Sequence, residues 1–181
     1  MKRIFTTLLL ISLSLMQISA EEYAGLKPGH KYDFKETKVL PKLKKSTERT
    51  GTMVYVAPDG LSMDYTEPAG DYTHITATSF DVCKKGNVTH FPISDPKNRM
   101  SVFRATLLYC LGGEVEKAAV LNNATITNSK SAEKRICTLT AEKASSRDIS
   151  KIELCYDVKS NRLLSMTITE GNSNYTIYEL Q

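Results

Sequence analysis

The chain has 181 residues, 41% hydrophobic and 24% charged, with 24 Lys and Arg against 20 Asp and Glu. That is one domain's length, with enough apolar content for a core and too balanced a charge for an unfolded tail. Nucleic acid is excluded as a partner, because so small a positive surplus gives little of the phosphate-seeking surface that such binding needs.

The first twenty residues read as a signal peptide. Lys2 and Arg3 form a positive n-region, Ile4 to Leu15 an apolar h-region, and Ile18-Ser19-Ala20 a cleavage site. Residues 21–181 then form a single domain, and loss of Lys2 and Arg3 lowers the formal charge from +4 to +2. About a dozen apolar residues are too few to span a bilayer, so the expectation is a soluble, exported monomer. The short segment led by Lys and Arg points to the periplasm. N-x-S/T sequons at Asn87, Asn123 and Asn174 carry meaning only in a eukaryotic secretory route.

A Pro28-Gly29 turn leads into Tyr32-Asp33-Phe34, and from Thr50 the pattern is β. Thr52 to Ala57 reads as a strand, Pro58-Asp59-Gly60 as a turn, and Leu61-Ser62-Met63-Asp64-Tyr65-Thr66 alternates strictly between apolar and polar. That period of two marks a half-buried strand. A turn over Glu67-Pro68-Ala69-Gly70 precedes Asp71–Thr76. Ser79–Cys83 and Val88–Phe91 follow, joined through Lys84-Lys85-Gly86-Asn87. Short strands at this spacing predict an antiparallel meander.

Helical period stands out in Lys97–Leu111, where Met100, Phe103, Leu107 and Leu111 form one stripe and Lys97, Arg99 and Arg104 lie off it. Gly112-Gly113 stops that helix, and Glu114–Leu121 predicts a short second one. Strands are then expected over Arg135–Glu142 and Lys151–Lys159, across a polar loop Lys143–Ser150. Ser160-Asn161 turns into Arg162–Glu170, and Gly171-Asn172 into Asn174–Leu180. A curved sheet with one apolar face must pack on the helices, curl on itself or face a cavity.

Four cysteines, Cys83, Cys110, Cys137 and Cys155, allow three pairings, and buried thiols are the alternative to any of them. Folding the last third about its loop brings Cys137 opposite Cys155 or its neighbour. The expected bridges are therefore Cys137–Cys155 and, by remainder, Cys83–Cys110. No pair has metal-ligand or C-x-x-C spacing, and His30, His74 and His90 are too far apart for a metal site, so neither metal nor cofactor is expected. No nucleophile motif stands out. Asp64 and Glu67 read as solvated, and the chain is not expected to be an enzyme. The basic run from Lys42 to Arg49 reads as an exposed loop or strand edge, with docking to an acidic partner as the other reading.

The stretch Gly51-Thr-Met-Val-Tyr-Val-Ala-Pro58 with Leu61-Ser-Met-Asp-Tyr-Thr-Glu-Pro68 resembles the LolA family, periplasmic carriers of outer-membrane lipoproteins. Phe34 (with Lys38 four residues on), Gly51, Tyr55, Pro58, Tyr65 and Pro68 sit at matching places. Lys151-Ile-Glu-Leu-Cys-Tyr-Asp157, Leu163–Glu170 and Asn174–Leu180 look like the family's last strands. Three features depart from the pattern: Met63 stands where the family has a tryptophan, Ala57 where proteobacterial carriers often have an arginine, and the four cysteines are unusual.

The resemblance implies a mainly β fold with an α lid: a curved antiparallel sheet forming an unclosed half β-barrel covered by helices. It further implies that the chain carries acyl chains of lipoproteins, or another lipid, toward the outer membrane. The implied partners are an inner-membrane export complex and an outer-membrane acceptor. On this reading Leu61, Met63 and Tyr65 line the concave face with Met53, Tyr55, Met166 and Ile168, while Met100, Phe103 and Leu107 close the lid. An ordinary core would use the same residues. The alternative function is a non-catalytic binding or sensor module of this fold for another exported partner or hydrophobic cargo. Acyl burial yields about 0.8 kcal/mol per CH₂, so a releasing carrier must bury its cargo incompletely.

Overall fold

The computed structural model describes residues 23–93, 95 and 98–181. The expected signal segment over 1–20 lies outside the described residues, as does Lys97 at the expected start of the helix.

Strands β1 (Lys31–Leu40), β2 (Lys45–Val56), β3 (Gly60–Glu67), β4 (Tyr72–Ile75), β5 (Ser79–Lys84) and β6 (Asn87–Pro92) precede two helices, α1 (Arg99–Leu111) and α2 (Val115–Leu121). Strands β7 (Ala124–Lys130), β8 (Lys134–Ala141), β9 (Ile149–Asp157), β10 (Leu163–Glu170) and β11 (Tyr175–Leu180) complete the chain. All eleven strands form one antiparallel sheet in the order β6-β5-β4-β3-β2-β1-β11-β10-β9-β8-β7. Two meanders are therefore joined through their first and last strands, Phe34 lying across from Leu180. The edges β6 and β7 do not pair with each other, so the barrel stays open.

This order dictates where the helices lie. The chain must pass from one free edge to the other between Pro92 and Ala124, and both helices occur in that passage. A route across the apolar face covers it, and the sheet curls around α1. Phe103 of α1 packs against Phe80 of β5 with ring centroids 6.1 Å apart. Arg99 reaches Glu170 of β10 from the other side. Arg104 anchors the helix by donating from Nε to the Thr76 carbonyl at 2.8 Å and from Nη2 to the Asp59 carbonyl at 2.9 Å.

The period of two selects the buried face. Met53, Tyr55, Leu61, Met63, Tyr65, Ile152, Leu154, Tyr156, Met166 and Ile168 all turn inward. Burial of each such side chain is worth roughly 1.5–3 kcal/mol. Gly51 lies between Phe34 and Tyr65 in one cross-strand row. Their rings meet over it at 5.4 Å, edge to face. A Cβ at Gly51 would stand 2.2 Å from the Asp64 carbonyl oxygen, where a register shift brings the backbones close.

Helix α1 starts on Asn98, whose side-chain oxygen accepts from Met100 N–H at 2.8 Å. At its far end Gly113 has φ +79. Glu114 N–H reaches the Tyr109 carbonyl and Gly113 N–H the Cys110 carbonyl, which is the double closure of a Schellman motif. The N-terminal segment straps across this end: Leu26 N–H donates to the Leu111 carbonyl at 2.7 Å. Gly25 sits so near Gly112 that a Cβ would fall 2.3 Å from its carbonyl carbon.

Three expectations need correcting. The expected stripe on α1 is too narrow: Met100, Phe103, Leu107 and Leu111 all lie in or against the core, and Ser101, Thr106, Leu108 and Cys110 are buried as well. A helix enclosed by a curling sheet has apolar neighbours on more than one side, so no single stripe dominates. Strand β7 was not expected, because an edge strand with only Ala124 and Ile126 turned inward carries little apolar alternation.

The disulfides are absent, since none of the four cysteines is disulfide-bonded. Register places Cys137 opposite Leu154 and Cys155 opposite Ile136. That single-residue offset puts the two thiols on opposite faces of the sheet, Cys137 in the core and Cys155 half-exposed. Cys83 sits on β5 across from Tyr72 and Val88, whereas Cys110 lies near Cys137 on the other wing. The Cys83–Cys110 bridge therefore does not form either.

Candidate functional site

Helix α1 and the inner face of the sheet enclose a cavity of about 810 Å³, within the usual range for small-ligand pockets of about 300–1,000 Å³. At one end Gly112, just past α1, comes against the Tyr55 hydroxyl. The cavity lies beside Arg99, Val102, Phe103 and Leu107 of the helix. Met63, Phe80, Val102, Phe103, Leu107 and Ile168 form an apolar floor. Towards the mouth the lining becomes polar and charged, with Glu36, Lys38, Arg49, Lys84, Arg99, Lys143, Arg147 and Glu170.

Of the ten residues expected to face a ligand, Met63, Tyr65, Phe103, Leu107 and Ile168 line the cavity. Met53, Tyr55, Leu61 and Met166 are buried in the core without reaching it, and Met100 packs beside that core. The division follows position along each strand. Tyr55 and Leu61 pair with each other at the closed end, where Gly112 of the helix terminus comes against the Tyr55 hydroxyl. Tyr65, four residue pairs further along the hairpin, is buried and lines the cavity.

A buried polar cluster forms one wall. Glu36 of β1 stands across from Arg49 of β2 on one side and Tyr178 of β11 on the other. Arg49 donates to Glu36 Oε1 from Nη2 at 2.5 Å and from Nε at 3.1 Å. The Tyr65 hydroxyl donates to Glu36 Oε2 at 2.6 Å. The guanidinium lies 3.9 Å from the centroid of the Tyr65 ring. Only 17% of the Arg49 side chain and 6% of Glu36 are exposed. Burial would lower the Arg49 pKa, but the Glu36 carboxylate more than offsets it and keeps the guanidinium charged. Burial, reinforced by Glu36, raises Tyr65 and Tyr178 far above the ordinary tyrosine range, so both stay neutral. Arg49 Nη1 is buried and has no acceptor.

Sequence reasoning missed this wall. Arg49 ends a basic run that reads as solvated, and Glu36 lies in a strand where only Tyr32 to Phe34 signalled β structure. The available signal was the alternation Phe34, Glu36, Lys38, which continues the inward face of β1. Lys42 to Glu48 are exposed, and the stretch from Lys45 to Arg49 pairs with β1 alone, which is the exposed strand edge that the sequence reading allows beside a loop.

The other candidates fall elsewhere. His74 and Asp64 form an exposed pair at 2.9 Å and His90 pairs with Asp81 at 2.5 Å, both away from the cavity. Burial favours the neutral form of Asp64, yet hydrogen bonds with His74 and Ser62 outweigh it and hold the carboxyl below its usual range. Among the described residues no helix is long and apolar enough to cross a membrane.

No family model matches the chain, and no curated protein matches it. Solved structures of similar fold include a LolA superfamily protein of Nitrosomonas europaea, 9% identical over 88% of this chain and 87% of that one, with a TM-score of 0.43. Another is the lipoprotein LppX of Mycobacterium tuberculosis, 10% identical over 83% and 84%, TM-score 0.40. A third is a putative outer membrane lipoprotein-sorting protein domain from Vibrio parahaemolyticus, 10% identical over 83% and 82%, TM-score 0.36.

Proposed function

We propose that this protein is a non-catalytic periplasmic carrier that shelters the acyl chains of a lipoprotein, or of another lipid, between α1 and the sheet. The observation that carries the reading is the cavity of about 810 Å³, whose apolar floor remains unfilled by the protein's own side chains and opens through a polar mouth. A closed core would be packed at crystal-like density with few voids larger than water. Acyl chains gain about 0.8 kcal/mol for each CH₂ they bury, and a half-open barrel lets part of each chain stay in contact with solvent. That keeps affinity below the point at which release fails. The carrier would receive its cargo from an inner-membrane export complex and pass it to an outer-membrane acceptor.

Native mass spectrometry of detergent-free protein tests the proposal: retained lipid mass is expected on the wild type. Phe103→Glu places a carboxylate on the floor at a half-buried position. It should cut uptake of a fluorescent acyl probe at least ten-fold while the far-ultraviolet spectrum is unchanged. Wild-type protein that retains no lipid and ignores the probe would refute the carrier reading and favour a binding module whose inner face stays empty of cargo.

A further inference from the structure

The mouth of the cavity carries more positive charge than its own carboxylates answer. Glu36 is engaged by Arg49 and Tyr65, and Glu170 by Arg99. Glu48 pairs with Lys35 at 2.9 Å, and Asp148 accepts from Ser145 N–H at 3.0 Å. These are the four carboxylates lining the cavity. Lys38, Lys84, Lys143 and Arg147 line the same mouth, and among the described residues none of them has a carboxylate in ion-pair range. Deeper in the wall, the buried Arg49 Nη1 also lacks an acceptor.

The geometry points to a phosphate-bearing lipid as the occupant, its chains on the apolar floor and its anionic head among Lys38, Lys84, Lys143 and Arg147. This rests on the acyl-cavity reading and narrows it. Chain burial rewards every lipid with the same tails equally, so discrimination must come from the head. A phosphodiester offers unesterified oxygens to ammonium groups as point charges and to a guanidinium as a fork. The cations come from β1, β5 and the β8–β9 loop, three separate elements brought to one cavity. A neutral head would leave their charges mutually repelling. The same phosphate chemistry also occurs in free phosphate, which has no chains to anchor it.

The experiment compares chain-labelled phosphatidylglycerol with chain-labelled diacylglycerol carrying identical tails, each titrated as monomers against the full mature protein. Phosphatidylglycerol is expected to bind about ten-fold more tightly at low ionic strength, with the gap closing as salt screens the mouth. Changing Lys38, Lys84, Lys143 and Arg147 together to Gln should bring the ratio of the two affinities towards one. The salt dependence of the wild-type ratio gives the same information should that variant fold poorly. Millimolar sodium phosphate is expected to leave the bound lipid in place. Equal affinity for the two lipids, a ratio indifferent to salt, or displacement by free phosphate would overturn the head-group assignment and leave the acyl cavity standing. Failure of both lipids to bind would instead overturn the acyl reading itself.

Discussion

Replacing Glu36 by Ala isolates the buried polar wall from everything else in the fold. The carboxylate accepts two hydrogen bonds from Arg49 and one from Tyr65. Removing it leaves a guanidinium inside the barrel with no counter-charge. Breaking a buried pair in this way costs about 3–5 kcal/mol. Arg49 keeps 17% of its side chain exposed, which lets water recover part of that loss, so the lower end applies, about 3 kcal/mol. For a domain of this size each kcal/mol moves Tm by about 2–4 °C, giving a fall of about 6–12 °C. Tyr65→Phe removes a single charge-assisted bond and retains the ring contact with Phe34, so about 1.5 kcal/mol is expected.

The decisive arm is the double substitution Glu36→Leu with Arg49→Met. Well-packed apolar residues often replace a buried ion pair at little cost, so this variant should be clearly more stable than Glu36→Ala alone. Urea unfolding followed by circular dichroism, extrapolated linearly to water, measures all three. A loss below about 1 kcal/mol for Glu36→Ala, the level of an exposed pair, would refute the assignment of a desolvated pair. So would a double variant no more stable than Glu36→Ala.

Gly25→Ala should cost roughly 1–3 kcal/mol, because its Cβ would meet the backbone of Gly112; a thermal melt checks it, together with faster amide exchange at Leu26. Hydrogen bonds from the Ser160 hydroxyl and backbone hold Asp157 below its ordinary 3.8. Its folded pKa is therefore lower than its unfolded one, so its stabilisation is present above about pH 4 and fades as the pH falls through the folded value. The Tm difference between wild type and Asp157→Asn should accordingly shrink from pH 5 towards pH 2. Burial, with a smaller contribution from Cys137, pushes the Cys110 thiol up to about 12. At pH 8 a thiol reagent should modify half-exposed Cys155 first and reach Cys83, Cys110 and Cys137 only on unfolding, as peptide mass mapping will show.

Most strands were legible because their burial alternates and their turns are marked. Leu61 to Thr66 lies within β3, and Ser79–Cys83 falls one residue short of β5. Both helices were placed nearly to the residue, since Gly112-Gly113 supplies a stop that only a left-handed terminus explains. What escaped was whatever depends on strands distant in sequence. The beginning of β2, Lys45 to Arg49, is a strand because β1 lies beside it, with Glu36 across from Arg49. Its own composition leaves an exposed loop and a strand edge equally open, and only the pairing with β1 decides for the strand. The cysteine pairing failed for a related reason: counting about a loop gives the partner to within one residue, and in a sheet one residue is the difference between two faces.

The cavity divides along the same line. Its floor was half visible, because apolar residues at period two must be inside, yet pattern alone cannot say which inward residues meet helix and which meet space. Met53 and Met63 are directly paired, and only Met63 reaches the cavity. That choice is made by α1, whose bulk fills the barrel at the end where its chain turns through Gly112 and leaves it unfilled around Val102 and Phe103. The charged mouth was invisible for a deeper reason. Single charges are assigned to water by default, and nothing local marks Lys38, Lys84, Lys143 and Arg147 as neighbours. They come from three separate parts of the chain, whose two meanders are joined by the pairing of β1 with β11. A pairing of the two terminal strands thus fixes both the width of the floor and the charge above it. A substitution that loosens β1 from β11 should therefore weaken chain burial and head selection together.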